Sequence, residues 1–406
     1  MEVYFDNNAT TKVLPEVADA MLPFYTEHYG NPSSIHRFGS AVGDPIAAAR
    51  AQVAALLGAA DPIEVIFTSC GTEGDNAAIR AMLEARPDKR HIVTTQVEHS
   101  AVLGLCQHLE KKGCRVTWLS VNQDGALDLD ELASALTDDT ALVSIMWANN
   151  ETGVIFPIEK IGAMARAKGI PFHVDAVQAA GKIPLNVSDL PIDLLTLSGH
   201  KFHAPKGVGA LYVRRGITFP PFLIGGHQEK NRRAGTENVA SIIGMGKAAE
   251  IALPRIAADA AYVQRLRDRL ESLLLASCPE SRVNGGKEQR LPNTLNMSFR
   301  YLEGESILVL LDQHGICAST GSACTAGSSE PSHVLRAMSV PTDWLQGAVR
   351  FSLSRFNTQD EVILVNEKMP AIVQRLQGFS ALGRLGNKPQ PQAERGATAA
   401  THGVRG

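Results

Sequence analysis

The stretch HVDAVQAAGKIPLNVSDLPIDLLTLSGHK, residues 173–201, places polar side chains directly after two apolar runs. The first run ends on Asp175, and the second ends just before Lys201. Short apolar runs of this kind predict buried β-strands. Ligands of an open α/β sheet bind beyond the carboxyl ends of its strands, so an Asp and a Lys delivered there can face one ligand. The stretch therefore predicts an α/β protein with a ligand site at this edge of the sheet.

A carboxylate and a lysine are the groups that pyridoxal 5'-phosphate (PLP) needs. The lysine anchors the aldehyde of PLP covalently, and the acid keeps its ring nitrogen protonated. Ser198 and His200, beside Lys201, offer further hydrogen-bonding groups. Strand-terminal Asp and Lys residues are common in α/β enzymes, so the pair alone does not identify the cofactor.

The composition predicts an ordinary globular protein of 406 residues, with 44% hydrophobic and 20% charged residues. Its formal charge of -3 offers no basic surface, so neither nucleic acid nor membrane is an expected partner. The first residues do not resemble a secretory signal, and no apolar run is long enough to span a bilayer. The six cysteines lack zinc-binding spacing, which favours reduced thiols in the cytoplasm and no metal in the resting protein.

Apolar runs alternate with helical patterns from residue 62 onward, as in PIEVIFT, HIVTT, RVTWLS and ALVSIMWA. This alternation predicts βαβ units and a largely parallel sheet. Only a short segment separates Lys201 from the next apolar run, GVGALYV, whereas a parallel crossover needs about a dozen residues. We therefore expect that last strand to be antiparallel.

The sequence pattern also predicts how the chain divides into domains. We expect residues 1–14 to form an N-terminal arm that packs with a smaller domain, and residues 15–260 to form the large domain with the ligand site. Residues 261–382, which include NTLNMSF and AVRFSLS, are expected to form the smaller α+β domain. Residues 383–406 contain few large apolar groups and predict a disordered tail. Segment 216–236, rich in Gly, Pro and Arg, is typical of a long functional loop.

Gly71 and Thr72 lie between a predicted strand and a helix whose first turn carries Glu73. Unbonded backbone N–H groups and a hydroxyl at a helix start suit a phosphate. The alternative is that Thr72 simply caps the helix.

Polar residues follow two further strands. His99, after HIVTT, either lies on an aromatic ring and relays protons or caps the next helix. Asn149 and Asn150, after ALVSIMW, either reach the ligand or form a turn held by side-chain hydrogen bonds. The sequence leaves both questions open.

Cys324 lies in ASTGSACTAGSSEP, where nearly every neighbour is small. Few side chains anchor such a loop, so its thiol can reach a site, accept sulfur and carry it outward. The alternative is a buried, inert thiol, which better describes Cys106 in the apolar run AVLGLC. We expect Cys317 to belong to the core and Cys70 to be structural.

The motifs DNNATT, CGTEGDN, EHSAVL, NNETG, HVDAVQ, SGHK, RRAGTEN, GSACTAGSSEPSHVLRAM and RFSLSRF occur in this order between residues 5 and 356. This combination resembles the NifS/IscS class of cysteine desulfurases and is closest to the NifS type. The resemblance implies a PLP-dependent homodimer of the aspartate aminotransferase fold (fold type I). It also implies a large domain with a mostly parallel seven-stranded sheet and a smaller α+β domain.

The resemblance assigns roles to the cofactor residues. Lys201 would anchor PLP covalently and later move the proton at the substrate Cα. Asp175 would pair with the ring nitrogen, Gln178 would hydrogen-bond the phenolic oxygen, and His99 would stack on the ring. The phosphate would be held by Gly71, Thr72, Ser198, His200 and, from the other subunit, Thr236.

The resemblance also implies the reaction. Asn150, which also contacts the cofactor, and Arg350 would bind the substrate carboxylate, as a bidentate guanidinium suits an amino acid. L-Cysteine would become L-alanine, with its sulfur held as a persulfide on Cys324. An iron–sulfur scaffold protein, in particular one serving nitrogenase, would accept the sulfur, and Cys324 would touch a cluster only transiently. Alternatives are a selenocysteine lyase or aminotransferase on the same fold, or a sulfur-donating protein that mainly docks a scaffold.

Overall fold

The computed structural model describes residues 2–320 and 331–379, which contain a seven-stranded, a three-stranded and a two-stranded sheet. The strands are β1 Val3–Tyr4, β2 Val65–Thr68, β3 His91–Thr95, β4 Arg115–Leu119, β5 Thr140–Ser144, β6 Phe172–Asp175, β7 Leu194–Ser198, β8 Gly209–Val213, β9 Ser281–Val283, β10 Thr294–Phe299, β11 Ile316–Cys317 and β12 Ala348–Ser352. The helices are α1 Pro15–Met21, α2 Pro23–Thr26, α3 Arg37–Ser40, α4 Gly43–Leu57, α5 Gly71–Ala85, α6 Ser100–Glu110, α7 Leu129–Ala135, α8 Ile158–Ala167, α9 Gln228–Asn231, α10 Val239–Ala252, α11 Ile256–Ser277, α12 Gly304–Asp312, α13 His333–Ala337, α14 Thr342–Leu345 and α15 Gln359–Phe379.

The large sheet has the strand order β2-β8-β7-β6-β5-β3-β4. The neighbouring pairs β7–β6, β6–β5, β5–β3 and β3–β4 are all parallel. Strand β8 is antiparallel to both of its neighbours, β7 and β2. The expected mostly parallel sheet is therefore confirmed, as is the antiparallel strand after Lys201.

Both faces of the large sheet are covered by hydrophobic cores. Successive side chains along a strand point to opposite faces. Phe67 and Leu195 accordingly pack into the core on one face, whereas Ile66 and Leu194 pack into the core on the other. Strands buried on both sides read as continuous apolar runs, and every residue of β7 is buried.

A third core surrounds the sheet β12-β10-β9. Val3 and Phe5 belong to it, and β1 pairs in parallel with β11, so the start of the chain packs with its C-terminal part. Helix α11 connects this core to the large sheet, because Ile256 packs in the large-sheet core and Val263 in the C-terminal one. Residue 260, the expected domain boundary, lies inside this continuous helix.

Several expectations concern parts of the chain that the structure does not describe. The loop with Cys324 and the tail at 383–406 both lie outside the described residues. No described helix has the length and apolar character needed to cross a membrane.

Among the described thiols, Cys106 is buried, and burial raises its pKa to about 12, as expected of an inert cysteine. Cys317, expected in the core, is only half-buried.

Packing of α10 on α4 provides a test of the fold. A Cβ added to Gly246 would lie 2.5 Å from Ala49 Cα, so Gly246→Ala must push the helices apart. We expect the variant to lose about 1–3 kcal/mol of stability, seen as a lower Tm. Gly104→Ala in α6 is the control, because no described atom lies within 4 Å of its added Cβ. Equal melting temperatures for the two variants would contradict the close helix contact.

Candidate active site

A pocket of about 230 Å³, called here the central pocket, lies at the carboxyl ends of the parallel strands. Parallel strands end at one edge of a sheet, which explains why residues distant in sequence meet there. The predicted residues that line it are Gly71, Thr72, His99, Asn150, Asp175, Gln178, Ser198, His200 and Lys201. Arg350 and Thr236 are not among its lining residues, and Cys324 lies outside the described residues.

Lys201 follows β7 in a single 3₁₀ turn, Gly199–Lys201. Its Nζ donates hydrogen bonds to the backbone carbonyls of Asn8 (2.6 Å) and Ala9 (2.8 Å). His200, in the same turn, is hydrogen-bonded through Nδ1 to Thr10 Oγ1. Burial, together with the positive charge of Lys201, lowers the pKa of His200 to about 4, so its ring is neutral near pH 7. The N-terminal segment therefore contacts both residues.

Buried carboxyl groups occur at and beside one wall of the central pocket. Burial raises the pKa of Asp175 above its usual value, while His99 and Lys201 act to lower it. Burial, together with the negative charge of Asp175, also raises the pKa of Asp75 well above its usual value. Glu98, just behind the wall, has a pKa raised to about 8, chiefly by burial. A cationic group bound at this wall would favour the ionised form of these acids.

Helix α5 begins at Gly71, and Cys70 rather than Thr72 is its N-cap residue. The alternative that Thr72 caps this helix is therefore wrong. The first backbone N–H groups of α5 have no acceptor within the helix. They lie beside the Thr72 side chain, which lines the pocket. Glu73 accepts hydrogen bonds from Ser69 N (2.7 Å) and Arg233 Nε (2.8 Å). Although burial opposes the shift, these bonds lower the pKa of Glu73.

For His99, the structure confirms the helix-capping alternative, whereas the contact with an aromatic ring and the proton relay stay predictions. His99 is the N-cap of α6, where its Nδ1 accepts a hydrogen bond from Ala101 N (3.2 Å). It also lines the central pocket. Because Nδ1 is the acceptor, a neutral ring carries its proton on Nε2.

The two asparagines after β5 have different positions. The side-chain oxygen of Asn149 accepts from the backbone N–H groups of Glu151 and Thr152, both at 2.9 Å, and so forms the predicted turn. Asn150 instead lines the central pocket. Its backbone oxygen accepts from Arg350 Nη1 (2.9 Å) and Asn8 Nδ2 (3.2 Å).

Arg350 is buried on β12, next to the pocket residue Asn150. Its Nη2 pairs with Asp6 at 2.9 Å. Its Nε has no hydrogen-bond partner in the described ranges, although it is buried. Part of this guanidinium is therefore available to another acceptor.

Thr236 is exposed, at the end of the predicted functional loop. The loop is held to the large domain by two ion pairs. Arg50 binds Glu229 through two hydrogen bonds (2.6 and 2.9 Å), and Arg233 binds Glu73 at the start of α5. Thr236 thus follows a segment anchored beside the central pocket of its own chain without lining that pocket.

The residues of the central pocket fit PLP. An anchoring lysine, a buried carboxyl for the ring nitrogen, and a helix start with hydroxyl groups for the phosphate lie in one pocket. A further observation that fits a bound ligand is that buried Asp75 Oδ1 has no hydrogen-bond partner among the described residues. It lies 3.6 Å from His173 Nε2, but burial lowers the pKa of His173 to about 3 and leaves that ring neutral.

Sequence reasoning missed three polar residues. Asp75 lines the central pocket, and Asn8 and Lys182 adjoin Gln178. Asn8 and Asp75 lie in the motifs DNNATT and CGTEGDN, so a polar residue in each motif was the available signal. Lys182 follows Gln178 by one turn in QAAGK, a spacing that gives no sign of its contacts.

Comparisons with known proteins place the chain among similar sequences and structures. The aminotransferase class-V family matches residues 3–365. A cysteine desulfurase from Trichormus azollae is 62% identical over 378 residues, covering 93% of this chain and 94% of the relative. The cysteine desulfurase NifS of Azotobacter vinelandii is 55% identical over 379 residues, covering 93% of this chain and 94% of the relative.

Solved structures agree with these sequence matches. A structure described as a NifS-like protein has a TM-score of 0.87 and 41% identity, covering 93% of this chain and all of the other. The structure of SspA in complex with cysteine has a TM-score of 0.78 and 34% identity, covering 88% of this chain.

The buried Glu98 predicts a pH-dependent stability. Its carboxyl has a pKa of about 8 in the folded protein, against an ordinary value of 4.5. Between these values the native state binds more protons, so rising pH favours unfolding. Glu98→Gln cannot ionise and should therefore gain stability relative to wild type from pH 5 to pH 8. Urea unfolding of both cofactor-free proteins at several pH values measures this difference, and a constant difference would contradict the shifted pKa.

Proposed function

Because the chain belongs to the aminotransferase class-V family, we propose that it is a PLP-dependent cysteine desulfurase. The observation that supports this most directly is the meeting of Lys201, Asp175 and His99 in one pocket with the start of α5. Relatives named cysteine desulfurase, at 55% and 62% identity over nearly the whole chain, favour L-cysteine as the substrate. The products are L-alanine and a persulfide on Cys324.

In the proposed chemistry, each pocket residue has a separate role. When bound, PLP supplies an electron-withdrawing ring that takes up the electron pair left at the substrate Cα. Lys201 anchors the cofactor and carries the Cα proton. Asp175 would hold a proton on the ring nitrogen, and Gln178 would donate a hydrogen bond to the phenolic oxygen. His99 would contact the ring.

Arg350 and Asn150 bind the substrate carboxylate in this proposal. The buried Nε of Arg350, which has no partner among the described residues, supports it, since a guanidinium binds a carboxylate best through two N–H groups. The bond from Arg350 Nη1 to the Asn150 backbone holds the two residues together.

Cys324 completes the sulfur transfer. As a thiolate it attacks the sulfur of the substrate, so that an S–S bond forms and the C–S bond breaks. The electron pair of that C–S bond remains with the substrate, which takes up a proton at Cβ and leaves as alanine. The reaction needs no external oxidant or reductant, because the oxidation of the two thiol sulfurs to a persulfide is balanced by the reduction of Cβ from a C–S to a C–H bond.

A homodimer belongs to the same proposal, with Thr236 of one subunit serving the phosphate site of the other. Exposed apolar side chains support a second copy, since Tyr29, Ile35 and Ile224 are 68%, 102% and 89% exposed. We assign the sulfur acceptor to an iron–sulfur scaffold protein in the cytoplasm. Similarity to NifS favours a scaffold that serves nitrogenase.

Substitution of Cys324 tests the sulfur step. Cys324→Ala should keep the absorbance band of bound PLP, because the cofactor residues are intact, but protein persulfide should fall to background. Incubation with L-cysteine, followed by persulfide trapping and alanine analysis, measures both. Cys106→Ala is the control, since that thiol is buried in the core. Normal persulfide formation by Cys324→Ala would falsify the assigned role.

Substitution of Lys201 tests the anchor. Lys201→Ala should lose borohydride-dependent covalent attachment of PLP, and turnover should fall about 10²–10⁴-fold because the proton carrier is gone. Lys168→Ala, on a lysine that donates to Leu136 O at 2.6 Å, is the control. Peptide mapping after reduction measures attachment. Cofactor bound covalently to a different lysine would show that Lys201 is not the anchor.

A further inference from the structure

Lys182 lies in a polar network beneath Gln178. Its Nζ donates to Gln178 Oε1 at 2.6 Å and to Asn8 Oδ1 at 3.1 Å. No carboxylate lies within ion-pair distance of it in the described part of the chain. Burial lowers the pKa of Lys182 well below its usual value, and the charges of Lys201 and Arg350 lower it further. The network thus contains a second lysine, and both of these hydrogen bonds go to neutral amides.

These contacts determine which way the Gln178 amide points. The two ends of a glutamine amide are interchangeable in shape, but a lysine ammonium only donates hydrogen bonds. The atom facing Lys182 must therefore be the oxygen. Nε2 then points the other way, with one N–H given to Asn8 O (3.0 Å) and the second left for the central pocket, which Gln178 lines.

Lys182 also orients Asn8. Asn8 Oδ1 accepts from both Lys182 and Asn293 Nδ2 (2.9 Å), so its Nδ2 faces Asn150 O and Thr294 Oγ1. The backbone oxygen of the same residue accepts from Lys201 Nζ. Loss of the Lys182 donor would leave Gln178 Oε1 without this bond, whereas Asn8 Oδ1 would keep the bond from Asn293.

We propose that Lys182 is a positioning residue that, by donating to Gln178 Oε1, fixes the Gln178 amide with its second N–H toward the cofactor. The inference rests on the proposed PLP chemistry. It assigns Lys182 no contact with substrate or cofactor. A hydrogen-bond donor to the phenolic oxygen favours loss of a proton from the bound chromophore.

Other charged groups adjoin Lys182 and set the background for any titration. Lys182 and Lys201 both line a cavity of about 60 Å³, which reaches the region between the large sheet and the C-terminal core. The titratable and charged groups that interact with Lys182 or share this cavity are Lys201, Arg350, His200, His203, Asp259 and Arg355.

Absorbance titration of the PLP-loaded enzyme without substrate tests the inference. Lys182→Met keeps an unbranched side chain, one atom shorter, but removes the hydrogen-bond donor. We expect the pH midpoint of the chromophore to rise by about one unit, which is about a tenfold change in its acid dissociation constant. We expect kcat to fall about tenfold or more with little change in KM for L-cysteine. Lys182→Arg, which restores donors and charge, should return the midpoint most of the way to wild type.

Lys168→Met is the control, because Lys168 is an exposed lysine that donates to the carbonyl of Leu136, away from the central pocket. Its midpoint should equal that of wild type. A wild-type midpoint in Lys182→Met, or failure of Lys182→Arg to restore a shifted one, would overturn the inference while leaving the proposed function intact. Should Lys182→Met not fold, Lys182→Leu, which also lacks a hydrogen-bond donor, gives the same reading. A wild-type protein that forms no PLP chromophore would overturn the proposed function and this inference together.

Discussion

The backbone oxygen of Asn8 accepts hydrogen bonds from Lys201 Nζ at 2.6 Å and Gln178 Nε2 at 3.0 Å. The Asn8 side chain continues this network to Asn293 and Thr294, next to and within the three-stranded sheet. A buried polar group without its partner costs about 1–3 kcal/mol. The N-terminal residues, the pocket side chains and the C-terminal sheet therefore depend on one another, and the site is complete only when the start of the chain has docked.

Burial of the site also shifts the pKa values of its charged groups. Asp75 and Asp175 are carboxyls whose pKa values burial raises, and Lys182 is an amine whose pKa burial lowers. In each case the low-dielectric surroundings disfavour the charged form. PLP carries both a positive ring nitrogen and a negative phosphate, so its binding would compensate charges that the protein alone holds at a cost. The same surroundings would strengthen the contacts that stabilise charge during the reaction.

Sequence patterns predicted those features that depend on short-range rules. Buried strands, the antiparallel β8 and the gathering of Asp175, Ser198 and Lys201 follow from apolar runs and from where parallel strands end. The sequence could not decide whether Thr72 caps the helix that starts at Gly71, nor which of Asn149 and Asn150 forms the turn. In both cases the two alternatives fit the same local sequence pattern. The contacts of Asn8 and Lys182 were not predictable, since their partners are chosen by tertiary packing between residues far apart in the chain.

In the proposed reaction, each sulfur atom removed from L-cysteine is first held by the protein. A direct measurement mixes the PLP-loaded enzyme, without oxygen or added thiol, with less than one equivalent of L-cysteine. Alanine and protein-bound persulfide are then quantified in the same quenched sample. The account predicts equal amounts of the two. Alanine accompanied by free sulfide, with no persulfide on the protein at any time, would contradict it.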